Sequence, residues 1–216
     1  MAEGNLPERL TGALVEAFNA AVSHQWKRAQ ARIASEQRRH PQAEPADIAK
    51  RIVRDFRRDV TAIGVAAGGA AAIPGPGTGV RIAGFGAEGV ALLERSIFMT
   101  LAVAHAYGHD LSDVEIRKYA IFRVLGLWAG AAEGMMSFSS LIASGLGKKA
   151  TKAIPMTVVH AINNAAGKRV LVKWATRGGV IRLGSALPFG IGAVLGGGGN
   201  YAMARGLGRV AIEEFR

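Results

Sequence analysis

Apolar residues recur at every fourth position near the start of the chain: Leu10, Leu14, Phe18, Val22 and Trp26, with Ala13, Ala17 and Ala21 widening the stripe. That spacing predicts an amphipathic helix with polar residues on its remaining face. The stretch EQRRHPQAEPADIAK interrupts it. Pro41 and Pro45 disfavour helix just before them, and Pro45 suits the first turn of the next one. Residues 1–44 therefore read as an N-terminal amphipathic helix and linker, and residues 45–216 as a helical domain.

The second predicted helix starts near Pro45 and carries Ile48, Ile52, Val53, Phe56, Val60 and Ile63 on one face, with Lys50, Arg51, Arg54, Arg57 and Arg58 elsewhere on its surface. A third runs from about Phe85 to Tyr107 and stops at Gly108, a natural left-handed position. The sequence SDVE at Ser112–Glu115 resembles a capping box, and the helix it opens extends toward Gly145. Two short helices, Pro155–Ala166 closed by Gly167 and Lys168–Thr176, come next, and a last one covers Tyr201–Phe215. No run alternates polar and apolar residues long enough to make a strand, so the fold class is all-α.

Two apolar stretches carry proline and glycine at their centres: AAAIPGPGTG, with Pro74, Gly75 and Gly77, and SALPFGIGAVLGGGGN, with Pro188 and Gly190. Proline ends one arm and glycine permits the turn that starts the other. Arms of about fourteen residues reach about 20 Å, short of the ~30 Å hydrocarbon core of a bilayer. The expected architecture is thus a compact helical bundle with two glycine/proline-cornered apolar hairpins. These either pack as core or dip into one leaflet. Glu88, Glu94, Arg95, Arg123 and Glu133 lie within the other helices, which argues against a polytopic membrane protein.

Charge changes the picture. The formal net charge is +11, distributed as +3 over residues 1–59, −1 over 60–145 and +9 over 146–216, and no acid occurs between Lys148 and Arg182. Lys148, Lys149, Lys152, Lys168, Arg169, Lys173, Arg177 and Arg182 are the candidate contacts to an anionic surface. Nucleic acid is the less favoured polyanion, because Trp174 is the one aromatic residue in that run and no helix-turn-helix or RNA-binding signature is present. The chain contains no cysteine, which removes disulfides, thiolate metal sites and a cysteine nucleophile. Its first residues carry Glu3 and Glu8 and no apolar run beside a basic start, so the expected location is cytoplasmic, peripheral to the inner face of the membrane.

No catalytic constellation emerges. GPGTG lacks the Lys-Ser/Thr pair of a phosphate loop, and GFGAEG lacks a preceding strand. His105 and His109 are four apart, but Gly108 ends the helix between them; His105 reads as a packed helix residue and His109 as exposed in a turn. Ser139 and Ser140 lack a nucleophile elbow. No metal and no cofactor is expected. Glu88 and Glu133 sit among small or apolar neighbours, where a carboxylate needs a partner. With Tyr107 and Asn200 beside helix ends, they form the candidate ligand-binding set.

The runs AIPGPGTG, LAVAHAYGHD from Leu101 to Asp110 continuing through Glu115 and Arg117, LPFGIGAVLGGGGN ending at Asn200, and the closing Ala211–Phe215 together resemble the EcsC family across roughly Asp47–Phe215. One departure is Glu88, or no acid at all, where many members place an aspartate soon after the first glycine corner. The resemblance implies a bacterial accessory protein of unassigned activity, associated with an ABC transporter or another membrane protein. The expected function is a peripheral membrane or lipid-associated interaction module. A pore-forming or membrane-disrupting helical protein and an enzyme using a buried carboxylate are the alternatives.

Overall fold

The computed structural model describes residues 8–71, 87–141, 143, 155–183 and 191–216, and all statements below concern these. They form helices and no strand: α1 (Glu8–Arg39), α2 (Pro45–Ala71), α3 (Ala87–Ala106), α4 (Val114–Ala129), the single turn α5 (Phe138–Leu141), α6 (Met156–Leu183) and α7 (Ile191–Phe215). The all-α bundle expected from periodicity is the observed fold class.

Each helix buries the face its sequence specifies. Leu14, Phe18 and Val22 of α1, and Ile48, Ile52, Val53, Phe56 and Val60 of α2, are buried. α1 and α2, joined by residues 40–44, are tied by side chains, Arg32 to Asp55 at 2.6 Å and Arg51 to His40 at 2.7 Å, and both pack on α3. α1 packs mainly on α3, and its Phe18 ring stacks on Phe122 of α4 at 4.5 Å. α4 packs on α6. The most extensive interface joins α2 to α7. Its pairings run antiparallel: Val53 meets Gly208, Arg57 lies over Tyr201, and the Asn200 amide donates to the Val60 carbonyl at 3.3 Å.

Four boundaries differ from those expected. α4 ends at Ala129, not near Gly145. Gly130 takes φ 69°, and the N–H groups of Gly130 and Ala131 close back on Leu127 and Gly126, the double bond that terminates a helix through a left-handed residue. At its other end the cap is Asp113, not Ser112; the Asp113 carboxylate accepts from the Glu115 N–H at 2.7 Å, and Glu115 turns toward α6 instead of closing the box. Gly167 does not end a helix, because α6 is continuous through it. A Cβ there would stand 2.7 Å from Cζ of Phe122, so the glycine makes room for that ring. α7 begins at Ile191, ten residues earlier than expected. The corners Pro74, Gly75, Gly77, Pro188 and Gly190 lie outside the described residues.

The α2–α7 seam rests on small side chains. Asn200, Ala204 and Gly208 recur four apart on α7 and are all buried, which lets the two backbones approach closely. Adding a methyl at Gly208 drives it into the β-branched Val53, whose rotamer is fixed by the helix. Gly208→Ala is expected to lower stability by about 1–2 kcal/mol, because overpacking outweighs the ~1 kcal/mol gained in helix propensity. Chemical denaturation should show the loss largely relieved when Val53→Ala is combined with it.

Candidate functional site

The four residues singled out as a ligand-binding set do not converge. Tyr107 follows α3 with its ring against the core and its hydroxyl buried without a partner among the described residues. Asn200 is buried in the α2–α7 seam, where its amide is taken up by the Val60 carbonyl. Glu88 lies in the first turn of α3, and its side chain is outside the described set. Glu133 is not a buried helical carboxylate. It lies exposed in the turn after α4, and its backbone carbonyl accepts from Arg169 at 2.8 Å. The reason is the early stop at Gly130, which turns residues 131–137 away from a helical path.

Two other acids are shielded: Glu36, paired with Arg32 at 3.0 Å within α1, and Glu214, which joins separate elements. Its Oε1 accepts from Arg123 Nε at 2.9 Å and from the Phe138 N–H at 2.5 Å, and both ionic side chains are largely shielded from solvent, at 7% and 13% exposed. Arg123 also donates to the Met135 carbonyl at 2.9 Å, and the Tyr119 hydroxyl donates to the Met136 carbonyl at 2.8 Å. Burial pushes the Tyr119 phenol above its ordinary range, and the Glu214 charge adds to this against the opposing Arg123 charge and the Met136 bond. Beside this tie, the His109 Nε2–H donates to the Phe215 carbonyl at 2.9 Å, and its ring meets Phe138 edge-on at 5.1 Å. His109 is therefore half-buried rather than exposed. These contacts clamp residues 135–138 and the end of α7 onto α4. The sequence signal was available: Glu214 follows Leu207 and Ala211 at helical spacing, placing an acid on an apolar stripe.

Two further polar clusters join helices. Glu115 accepts from Asn163 at 2.8 Å and Lys118 at 2.9 Å and lies 3.3 Å from His160. Burial alone would raise its carboxyl; the bonds from Asn163 and Lys118, the Lys118 charge and His160 outweigh it and lower the pKa. Trp26 of α1 is gripped by His105, edge-on at 5.1 Å, and by the Arg117 guanidinium at 5.7 Å, which itself donates to the carbonyls of Leu111 and Ser112. The described residues contain no group of His, Asp and Glu placed to hold a metal ion.

The cationic candidates divide into two kinds. Arg169 and Arg177 serve the end of α4: Arg169 bonds Glu133, and Arg177 stacks its guanidinium 4.5 Å over Trp128 while donating to the Trp128 carbonyl. A cation there complements the negative end of the helix dipole. Lys168 and Lys173 are exposed and have no ion-pair partner among the described residues. Five positions apart, they stand about 140° from each other around α6. Lys148, Lys149 and Lys152 lie outside the described residues, as does the side chain of Arg182.

No family model, curated protein or solved structure matches this chain. Among the described helices, α3 alone is long and apolar enough to cross a membrane, over Gly89–Ala106, and 67% of that window is buried inside the protein. Its hydroxyls are satisfied internally, Ser96 on the Leu92 carbonyl and Thr100 on the Ser96 carbonyl, both at 2.8 Å.

Glu214→Ala would leave Arg123 shielded without its counter-charge and the Phe138 N–H without an acceptor. A loss of about 3 kcal/mol in urea unfolding is expected, and most of it should return in an Arg123→Met/Glu214→Leu pair. A pH effect follows from His105, whose half-burial lowers its pKa below the ordinary 6.5. The unfolded chain takes up that proton more readily, so this stabilisation is complete above about pH 6.5 and declines as pH falls toward the depressed folded value. Urea midpoints measured from about pH 8 to about pH 5 should fall, and His105→Gln should flatten the part of the curve just below 6.5.

Proposed function

We infer that this protein is a membrane-surface module, docking on anionic lipid headgroups at the inner face of a membrane, with an ABC transporter or another membrane protein as its protein partner. The observation that carries the reading is the cationic surface of α6, a helix that contains no acid: Lys168 and Lys173 are exposed on two sides of it, within a C-terminal third of net charge +9. Each lysine or arginine near an anionic bilayer contributes about 1 kcal/mol, so several together hold a protein at the surface without any spanning segment. The motif likeness to the EcsC family supports the accessory role and the transporter partner.

Of the two acids on which the buried-carboxylate alternative rests, Glu133 is exposed and the Glu88 side chain lies outside the described residues. Membrane disruption is the second reading, and α3 is the observation in its favour.

Flotation with vesicles tests the assignment. Recovery with phosphatidylglycerol-containing vesicles, little recovery with pure phosphatidylcholine, and loss at raised salt are the expected outcomes, because screening weakens exposed charge interactions. Lys168→Gln/Lys173→Gln should weaken partitioning. Equal behaviour with both lipids excludes the reading, and release of an encapsulated dye moves it to disruption.

A further inference from the structure

The face that meets the membrane can be specified more closely than by the charge of the C-terminal third. On α2, the residues Lys50, Arg51, Arg54, Arg57, Arg58, Thr61, Ala62 and Val65 fall on the stripe opposite the buried Ile52, Phe56 and Val60. On α7, Gly198, Ala202, Arg205, Arg209 and Glu213 fall opposite the buried Ala204, Leu207 and Ala211, and Tyr201 stands at the edge of that stripe beside α2. Antiparallel packing sets these two stripes side by side on one outer surface.

Along that surface the chemistry changes in three steps. At the α2 start and α7 end the charges cancel, Asp47 with Lys50 at 3.1 Å and Arg209 with Glu213 at 2.7 Å. In the middle lies a belt of arginines. Arg54, Arg58 and Arg205 are exposed and have no ion-pair partner among the described residues, and Arg57 stands 5.9 Å over the Tyr201 ring. The acids of this part of α2 are engaged on its other flank, Asp55 with Arg32 and Asp59 with Arg95. Beyond the belt the surface becomes apolar. Val65 is 48% and Tyr201 43% exposed, among the most exposed large apolar side chains described. The helices continue past this level to Ala71 and back to Ile191, with no charged residue in either stretch.

We propose that the α2–α7 outer face, and not α6, sets the orientation on the bilayer: Arg54, Arg58 and Arg205 lie at the phosphates, and the Val65 end enters the lipid. Val65 is seven residues beyond Arg58, about 10 Å along the axis, which matches the depth at which interfacial helices bury their apolar surface. Tyr201, with an apolar ring and a polar tip, occupies the boundary that tyrosine prefers. Arginine forks bind phosphate oxygens in pairs. A nucleic acid would use the belt and leave the apolar end unsatisfied, so a lipid surface is the partner this order of zones fits. The inference rests on the membrane-surface reading above.

The cysteine-free chain allows single-site labelling with an environment-sensitive dye at Val65→Cys or Lys173→Cys. With vesicles of equal parts phosphatidylcholine and phosphatidylglycerol, the label at 65 should shift to the blue and become shielded from an aqueous quencher, while the label at 173 stays wet. Unlabelled Arg54→Gln/Arg58→Gln, with an unchanged melting curve, should partition about 30-fold more weakly. Shielding at 173 with 65 left wet, or unchanged partitioning of the double variant, overturns the orientation while membrane binding itself stands. Shielding at 65 on concentrating the protein without vesicles assigns the face to a second copy and also overturns it. Failure of the wild-type chain to float removes the membrane reading and this inference together.

Discussion

The close contact between α2 and α7 governs the remainder of the structure. It exists because α7 offers Asn200, Ala204 and Gly208 to α2, so that Val53 and Val60 lie nearly against the opposing backbone. Packing of this kind gains dispersion contacts in proportion to proximity and loses them steeply with a small gap. Asn200 adds a directional element. Its amide is satisfied inside the apolar seam by the Val60 carbonyl, and register is set by Gly208, because a one-turn slip would bring Val53 against the side chain of Ala204 or Ile212 where Gly208 now leaves room. Once the two helices are locked antiparallel, their outward stripes are fixed relative to each other, and the order of cancelled, cationic and apolar zones follows.

A second polar tie closes the opposite side of the molecule. Arg123 and Glu214 lie between α4 and the end of α7, and through Met135 and Phe138 they hold the segment that follows the Gly130 stop. Buried ion pairs contribute little net stability compared with apolar packing of the same volume, yet they tolerate few alternative geometries. Here the pair serves a chain segment without a long helix of its own. The single turn α5 gains its position from Phe138, which packs edge-on against Phe215 at 5.1 Å and gives its N–H to Glu214. Apolar burial supplies the attraction, and the carboxylate supplies the direction.

Helical periodicity carried much of the fold into view from sequence, because the stripes expected for α1 and α2 are the faces those helices bury. Glycine was the less legible signal. Gly108 and Gly130 take positive φ and stop helices, whereas Gly167 stays helical because the Phe122 ring occupies the space its side chain would need. That distinction depends on a neighbour 45 positions away in the chain. The carboxylates show the same limit. Glu133 looked enclosed by its sequence neighbours and proved exposed once α4 turned off, while Glu214, not among the candidates, is enclosed by α4 and residues 135–138.

Charge shows the limit most clearly. Counted along the chain, α2 lies in a segment of net +3 and α6 in one of net +9. Counted by face, the exposed cations without a bonded partner among the described residues are comparable in number, Arg54, Arg58 and Arg205 against Lys168 and Lys173. Asp55 and Asp59 of α2 are held on its other flank by Arg32 and Arg95, leaving an arginine surface beside α7, while Arg169 and Arg177 of α6 reach back to the end of α4 and leave lysines outward. The two cations differ in kind. Guanidinium is weakly hydrated and can lie at an interface with both edges bonded to phosphate, whereas ammonium holds its water and acts as a point charge. A surface of free arginines bordering exposed Val65 and Tyr201 suits partial desolvation, and a helix of separated lysines suits attraction at a distance. The two surfaces thus divide the work of association, α6 adding to the long-range pull and α2–α7 making the contact.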